Sequence, residues 1–190
     1  MTEHTGKLIL VLGGARSGKS RLAEEMAFAR PGGVAYIATA PVWDEEMARR
    51  VDIHRHRRPA DWVTIEEPED LAAALDRVPP GTKTVIVDCL TLWLTNLLLK
   101  NYREKMTGDQ YESMEEGIRA KVAGVCAVVR QKPFQTIMVA NEVGCGIVPE
   151  AHLGRLFRDI AGRTNQQVAQ AADTVLLAVA GYPLTVKGGA

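Results

Sequence analysis

The most constraining feature of the sequence is a glycine-rich stretch that directly follows a short apolar run. Residues 8–12 (LILVL) are uniformly apolar, which is typical of a strand buried on both faces of a parallel sheet. The next residues, GGARSGKS at 13–20, match G-x-x-x-x-G-K-[ST] at every defined position. Residues 20–30 (SRLAEEMAFAR) are rich in good helix formers. A strand, this turn and a helix, in that order, predict a loop that binds phosphate groups.

The chemistry of this loop follows from its residue types. Glycines allow the backbone to curl so that successive N–H groups face phosphate oxygens, and the helix N-terminus adds its positive dipole end. We expect Lys19 to reach the β- and γ-phosphates and the Ser20 hydroxyl to coordinate Mg²⁺. The residues predicted to bind nucleotide here are Gly13, Gly14, Ala15, Arg16, Ser17, Gly18, Lys19 and Ser20.

A loop of this kind needs a carboxylate to hold the Mg²⁺ shell, usually at the end of a neighbouring buried strand. Asp88 closes the apolar run TVIV at 84–87 and is the candidate. The alternative is that Asp88 caps the helix predicted from residue 90 onward, because Asp is favoured at that position. The two roles are compatible.

Strands and helices alternate along the whole chain. Further strands are predicted at 34–39, 63–66, 84–88, 136–141 and 174–180, and further helices at 44–56, 68–77, 90–99, 114–131 and 155–172. Residues 100–112 are polar and are predicted to form a mobile excursion, and residues 187–190 a frayed tail. This alternation predicts an α/β fold with a mostly parallel sheet and helices on both faces, in a single domain spanning residues 1–190.

Charge and composition exclude several classes of protein. Lys and Arg number 23, as do Asp and Glu, so the net charge is zero. This balance provides no field for binding nucleic acid or an anionic membrane surface. The three cysteines have no C-x-x-C spacing, the N-terminus lacks the order of a signal peptide, and no apolar run is long enough to span a membrane. We expect a soluble, cytoplasmic protein.

A second unusual segment, at 49–59 (RRVDIHRHRRP), is strongly basic. Helical spacing would place Arg50, His54, Arg57 and Arg58 on one face. Such a face is either a solvated surface, balanced by neighbouring acidic residues, or a site for an anion. A histidine beside a nucleotide site can also attack phosphorus through its unprotonated imidazole, the form that a cationic neighbourhood favours.

Three blocks together give a more specific signal than the glycine-rich loop alone. GGARSGKS, the stretch DEEMARRVDIHRHRRPADW, and NEVGCGIVPE followed by FRDIAGRTNQ occur in this order. The chain strongly resembles the family of bifunctional adenosylcobinamide kinases and adenosylcobinamide-phosphate guanylyltransferases, over roughly residues 8–187. The resemblance implies a RecA-like P-loop NTPase fold and a homotrimer with active sites between subunits.

The resemblance also implies two reactions in the assembly of the nucleotide loop of coenzyme B12. In one, ATP or GTP phosphorylates the aminopropanol hydroxyl of adenosylcobinamide. In the other, GMP passes from GTP, through a guanylylated histidine, to that phosphate, giving adenosylcobinamide-GDP and pyrophosphate. The family's motif register points to His54 as this histidine, with Lys19 as the other catalytic residue. Further implied nucleotide contacts are Ala38, Thr39, Ala40, Arg55, His56, Arg57, Arg58, Glu66 and Asp88.

Three alternatives remain open from the sequence. His56 lies two residues beyond His54 in the same basic run and could be the nucleophile instead. A single-activity P-loop kinase of another small metabolite would use Lys19, Ser20 and Asp88 but form no covalent GMP adduct. A nucleotide-switch or ATPase module would hydrolyse nucleotide without a small acceptor and would need a macromolecular partner, which the neutral charge disfavours.

Overall fold

The computed structural model describes residues 6–41, 49 and 58–188. Seven strands are present in this part of the chain, all of them short. They are β1 (Leu8–Gly13), β2 (Gly33–Ala38), β3 (Val63–Glu66), β4 (Thr82–Asp88), β5 (Gln135–Asn141), β6 (Thr174–Val179) and β7 (Tyr182–Lys187). The strands predicted from apolar runs are confirmed to within two residues at their ends.

Five helices lie in the described residues. They are α1 (Lys19–Phe28), α2 (Leu71–Asp76), α3 (Leu90–Asn101), α4 (Gly108–Gln131) and α5 (His152–Ala171). Asp70 accepts a hydrogen bond from the Ala73 amide and so fixes the start of α2. The helix predicted at 44–56 falls almost entirely on residues 42–48 and 50–57, which lie outside the described residues.

All seven strands belong to one sheet, in the order β3-β2-β4-β5-β1-β6-β7. Every pairing is parallel except that of β6 with β7, which is antiparallel. The predicted α/β fold with a mostly parallel sheet is therefore confirmed. Strand β5 separates β1, which leads into the glycine-rich loop, from β4, which carries Asp88, in agreement with the RecA-like arrangement that the resemblance implies.

The two faces of the sheet are covered unequally. The larger core lies under α2 to α5 and includes Leu8, Val87 and Trp93. The smaller core lies under α1 and includes Val11, Tyr36 and Ile86. Because alternate residues of a strand face opposite ways, the last residues of β1, β4 and β5 face the α1 side, as these smaller-core residues do.

Two sequence predictions about irregular segments were wrong. Lys187, where a frayed tail was predicted, is the last residue of strand β7, and its ammonium bonds the carbonyls of Ala169 and Gln170 at the end of α5. Helix α4 begins at Gly108, inside the predicted mobile stretch, because Thr107 and Gln110 form a capping box. A polar helical start, like an exposed edge strand, has no apolar pattern to reveal it.

Candidate nucleotide-binding site

The glycine-rich loop connects β1 to α1 as predicted. Gly18, the residue before the helix, has φ of 94°, a conformation that favours glycine. Its neighbour Ser17 donates its amide to the Gly14 carbonyl at 3.2 Å and accepts from the Gly181 amide at 2.9 Å. The turn between β6 and β7 therefore supports the loop from outside, a contact that motif matching alone does not suggest.

Gly13 is required by close packing. A Cβ at this position would collide with the Ser17 hydroxyl and would lie 2.8 Å from the carbonyl oxygen of Ala178. Gly14, by contrast, has open space where a Cβ would be. The first glycine of the motif thus permits the strand to turn, while the second leaves room beside the loop for a ligand.

Lys19 is the buried cation of the loop, with 9% of its surface exposed. Its ammonium donates to the Gly14 carbonyl at 2.9 Å. Burial lowers the pKa of Lys19, and this effect is opposed by the nearby Cys89 and Asp88. A buried ammonium with one carbonyl partner has donors to spare, so the loop is suited to binding a phosphate oxygen.

Asp88 lies at the carboxyl end of β4, on the face that carries α1. Its carboxylate accepts a hydrogen bond of 2.7 Å from the hydroxyl of Tyr36. Burial, and then the charge of Asp88, raise the pKa of Tyr36, so this phenol stays protonated and donates. The sequence pattern does not single out Tyr36, since a tyrosine within an apolar strand looks like any other core residue.

The capping role considered for Asp88 belongs to Cys89. The Cys89 sulfur accepts from the Leu92 amide at the start of α3, and the Asp88–Cys89 peptide bond is cis. Burial raises the pKa of the Cys89 thiol to about 11, so it remains neutral. The carboxylate of Asp88 is therefore not used by the helix.

Mg²⁺ prefers hard oxygen ligands, and P-loop proteins supply these from a loop hydroxyl and a strand-end carboxylate. Ser20 lies in the first turn of α1 and Asp88 on the same face of the sheet. One carboxylate oxygen of Asp88 is bonded to Tyr36, and no bond to the other is found among the described residues. The donor set therefore fits Mg²⁺.

No group of three His, Cys, Asp or Glu side chains that could hold a metal occurs in the described residues.

The strand ends beside Asp88 contain further predicted contacts. The sheet register aligns Glu66, Ala38 and Asp88 on three adjacent strands. The Thr39 side chain is fully buried and is bonded to both the carbonyl and the amide of Cys89. The Thr39 amide donates to the Asp88 carbonyl, and the Thr39 carbonyl accepts from the Asn96 side chain, so residue 39 braces the strand ends. Ala40 follows half-buried.

The last arginine of the basic segment, Arg58, lies in the described structure. The Arg58 guanidinium carbon lies 3.3 Å from the centre of the Tyr36 ring, which brings this predicted residue next to Asp88. The other predicted residues of the segment lie outside the described residues, namely His54, Arg55, His56 and Arg57.

The block at 141–166 also reaches the site. Asn141 ends β5 on the α1 side, next to Gly13 in the sheet. Its amide donates to the Thr91 hydroxyl at 2.6 Å, and its carbonyl accepts from the Asn165 side chain at 3.2 Å. Asn165 is buried, whereas Arg163 on the same helix pairs with Glu115.

A glycine-rich loop between strand and helix, a buried lysine and a carboxylate two strands away define a P-loop nucleotide-binding protein. Within that class, a model of the family described as "Cobinamide kinase / cobinamide phosphate guanyltransferase" matches residues 9–186. The chain belongs to this family, which consists of transferases.

Curated relatives match at nearly full length. The chain is 44% identical, over 94% of its length and 96% of the relative, to the bifunctional adenosylcobalamin biosynthesis protein CobP of Pseudomonas aeruginosa. It is 42% identical, over 95% of its length and 99% of the relative, to the protein CobU of the same description in Escherichia coli. A CobU of Salmonella typhimurium matches with 42% identity over the same shares.

In the described residues, no helix is long and apolar enough to cross a lipid bilayer.

Proposed function

We propose that the chain acts as one nucleotide-binding domain that catalyses both reactions of its family. It phosphorylates adenosylcobinamide with ATP or GTP, and it then transfers GMP from GTP to the resulting phosphate. The observation that carries this proposal is the buried Lys19 of the phosphate-binding loop, placed beside Asp88 at the strand ends. The resemblance of the basic segment to that of the family supports the second reaction.

In the kinase reaction the aminopropanol hydroxyl of the corrinoid attacks the γ-phosphorus. A new P–O bond forms, the bond to the β-bridging oxygen breaks, and the nucleoside diphosphate leaves with the electron pair. Lys19 and the loop amides hold the triphosphate in line and stabilise the charge that develops on the phosphate oxygens. The hydroxyl proton is released to a base or to solvent.

In the guanylyl transfer an imidazole nitrogen of His54 attacks the α-phosphorus of GTP, and pyrophosphate leaves. The phosphate of the corrinoid then attacks the same phosphorus, so that adenosylcobinamide-GDP forms and the histidine is regenerated. Lys19 stabilises the departing pyrophosphate, and the arginines Arg55, Arg57 and Arg58 stabilise the α-phosphate charge. His56 is the alternative nucleophile in this segment.

We further propose that Ser20 and Asp88 hold Mg²⁺ with the nucleotide. A bound divalent cation would neutralise charge on the phosphate oxygens during either transfer. The oxygen donors and the absence of any bond from Asp88 to the neighbouring helix start support this assignment.

The protein is also proposed to work as a homotrimer whose subunits share the corrinoid site. A corrin ring is too large for enclosure within a chain of this size. Exposed apolar side chains support self-association. They include Ile147, which is 97% exposed in the loop after β5, and Tyr182, Leu184 and Val186 on the edge strand β7.

The test is to incubate the protein with Mg²⁺ and GTP labelled at the α-phosphate, without corrinoid, and to assay the denatured chain for label. We expect label that acid removes and base does not, because a phosphoramidate hydrolyses in acid. His54→Ala should abolish it, and His56→Ala should leave most of it.

Two other outcomes would change the proposal. Label that survives in His54→Ala but is lost in His56→Ala would move the nucleophile to His56. GTP binding without any label would contradict the guanylyl-histidine and leave a P-loop kinase, to be sought with ATP and other small hydroxyl acceptors.

A further inference from the structure

Tyr36 contacts both functional elements of the site. It lies in the middle of β2, and its ring is almost fully buried under α1. It pairs with Ile86 on β4, so Asp88 lies two residues further along that strand on the same face. This diagonal position is within reach of an aromatic side chain, and the hydroxyl meets the Asp88 carboxylate at 2.7 Å.

The hydroxyl of Tyr36 is not needed for packing. A phenylalanine would fill the same apolar space between Val34, Ile86 and the α1 residue Ala23. A buried hydroxyl is costly unless it is hydrogen-bonded, and the bond found for this one is to Asp88. The bond occupies one carboxylate oxygen and restricts the rotation of the carboxylate.

The face of the same ring is covered by Arg58, whose guanidinium carbon lies 3.3 Å from the ring centre. This distance is that of a stacked cation–π contact. Arg58 follows His54 by four residues, so the contact fixes the chain at the end of the basic segment. The sequence alone does not reveal that this segment meets β2.

We propose that Tyr36 is a positioning residue for both reactions. Its hydroxyl orients Asp88 toward the metal–nucleotide complex. Its ring anchors Arg58, which lies four residues after His54 in the basic segment. The inference rests on the proposed function. One side chain thus contacts both the strand-end carboxylate and the last arginine of the basic segment.

Two substitutions separate the two roles. Tyr36→Phe removes the hydroxyl and keeps the ring, whereas Tyr36→Leu removes both. Binding of a fluorescent GTP analogue is titrated with Mg²⁺ for each variant, and the rate of labelling from α-labelled GTP is measured at saturating Mg²⁺. Tyr111→Phe, on helix α4 away from the site, is the matched control and should behave like the parent protein.

For Tyr36→Phe we expect the Mg²⁺ concentration at half-maximal binding to rise about 3- to 10-fold, which is the effect expected when one hydrogen bond is lost. Binding without Mg²⁺ and the labelling rate at saturating Mg²⁺ should stay within about twofold. For Tyr36→Leu we expect the same change in Mg²⁺ requirement and also a labelling rate lower by about 10-fold or more, since a desolvated cation–π contact is lost. A loss of packing alone would not change the Mg²⁺ requirement selectively.

An unchanged Mg²⁺ requirement in Tyr36→Phe would overturn the role of the hydroxyl, and parental labelling by Tyr36→Leu would overturn the role of the ring. Should the leucine variant fail to fold, Tyr36→Met, which fills irregular gaps, replaces it. If the parent protein itself forms no adduct, the proposed guanylyl transfer fails, while the Mg²⁺ titration still decides the role of the hydroxyl.

Discussion

Two residues of the phosphate-binding loop are explained by different requirements. Burial lowers the pKa of the Lys19 ammonium, and a buried cation contributes nothing to an apolar core, so Lys19 is explained by what the loop has to bind. Gly13 is packed so closely against Ser17 and Ala178 that no side chain fits, so it is explained by the packing of the loop itself.

Lys19→Met removes the ammonium and keeps most of the aliphatic stem. We expect nucleotide affinity to fall about 10- to 100-fold, since hydrogen bonds to charged groups are worth roughly 1.5–3 kcal/mol. Thermal stability without nucleotide should not fall, because a desolvated charge is removed. Titration with a fluorescent nucleotide and a melting curve measure the two effects.

The matched control is Lys83→Met on the exposed part of β4, which should bind nucleotide normally. Normal binding by Lys19→Met would contradict the placement of the triphosphate at this loop.

Gly13→Ala should destabilise the free protein by about 1–3 kcal/mol, the usual cost of overpacking, because its Cβ would meet Ser17 and Ala178. Gly14→Ala, with open space around it, should melt at the parental temperature in the absence of nucleotide. Thermal unfolding of the two variants tests the difference, and equal melting temperatures would show that the loop adapts to a Cβ at residue 13.

At the scale of elements, the amino ends of the strands are joined by one ionic cluster. The Asp173 carboxylate, just before β6, accepts from the Leu8 amide at 2.7 Å and from the Arg130 guanidinium at 2.7 and 2.9 Å. Arg130, at the end of α4, also donates to the Gly6 and Ala171 carbonyls. These bonds connect β1, β6, α4 and α5 at the end of the sheet opposite the candidate site.

The cluster predicts a pH-dependent contribution to stability. Partial burial acts to raise the pKa of Asp173, but the bonds from Leu8 and Arg130 outweigh it and hold this pKa below the usual 3.8. Folding therefore favours the ionised form, and the stabilisation is fully present above the usual pKa. It is lost as the pH falls through the lowered value in the folded state.

We expect Asp173→Asn to lower stability by about 1 kcal/mol at neutral pH, a value reduced for the partial exposure of the pair. The difference from the parent should shrink below about pH 4. Urea unfolding at several pH values measures it. Asp76→Asn, in an exposed pair with Lys132, is the control and should change stability by less than about 0.5 kcal/mol. A deficit for Asp173→Asn that is constant down to acid pH would contradict the ionic explanation.

At the scale of the whole molecule, the sheet has an edge that the described residues leave uncovered. All residues of β7 are exposed. Its large apolar side chains, Tyr182, Leu184 and Val186, are at alternate positions and therefore share one face of the strand. An exposed apolar edge strand is a pairing surface unless another chain covers it. This edge is consistent with the proposed homotrimer.

Leu184→Lys should therefore dissociate the assembly, with light scattering after gel filtration giving one chain mass in place of three. Thr185→Lys, its neighbour on the opposite face of β7, should leave the assembly intact. A trimeric Leu184→Lys would show that the subunits meet elsewhere, and a monomeric parent protein would contradict the trimer itself.

The sequence by itself determined the fold class and the centre of the candidate site. The phosphate-binding loop is local, because eight consecutive residues set its turn, its helix start and its lysine, and a buried strand reveals itself by a continuous apolar run. Asp88 was predicted for the same reason, since it ends such a run. These features depend on neighbours in the chain, which a sequence displays directly.

Only the tertiary structure decided what depends on distant residues. It brought Tyr36 to Asp88 across 52 positions, gave Cys89 the cap considered for Asp88, and buried Asn165 against Asn141. It also added β7, whose exposed residues have no pattern of burial to predict them. Such contacts are set by strand register and by the packing of helices on the sheet, and pairings of this kind leave no periodicity in the sequence.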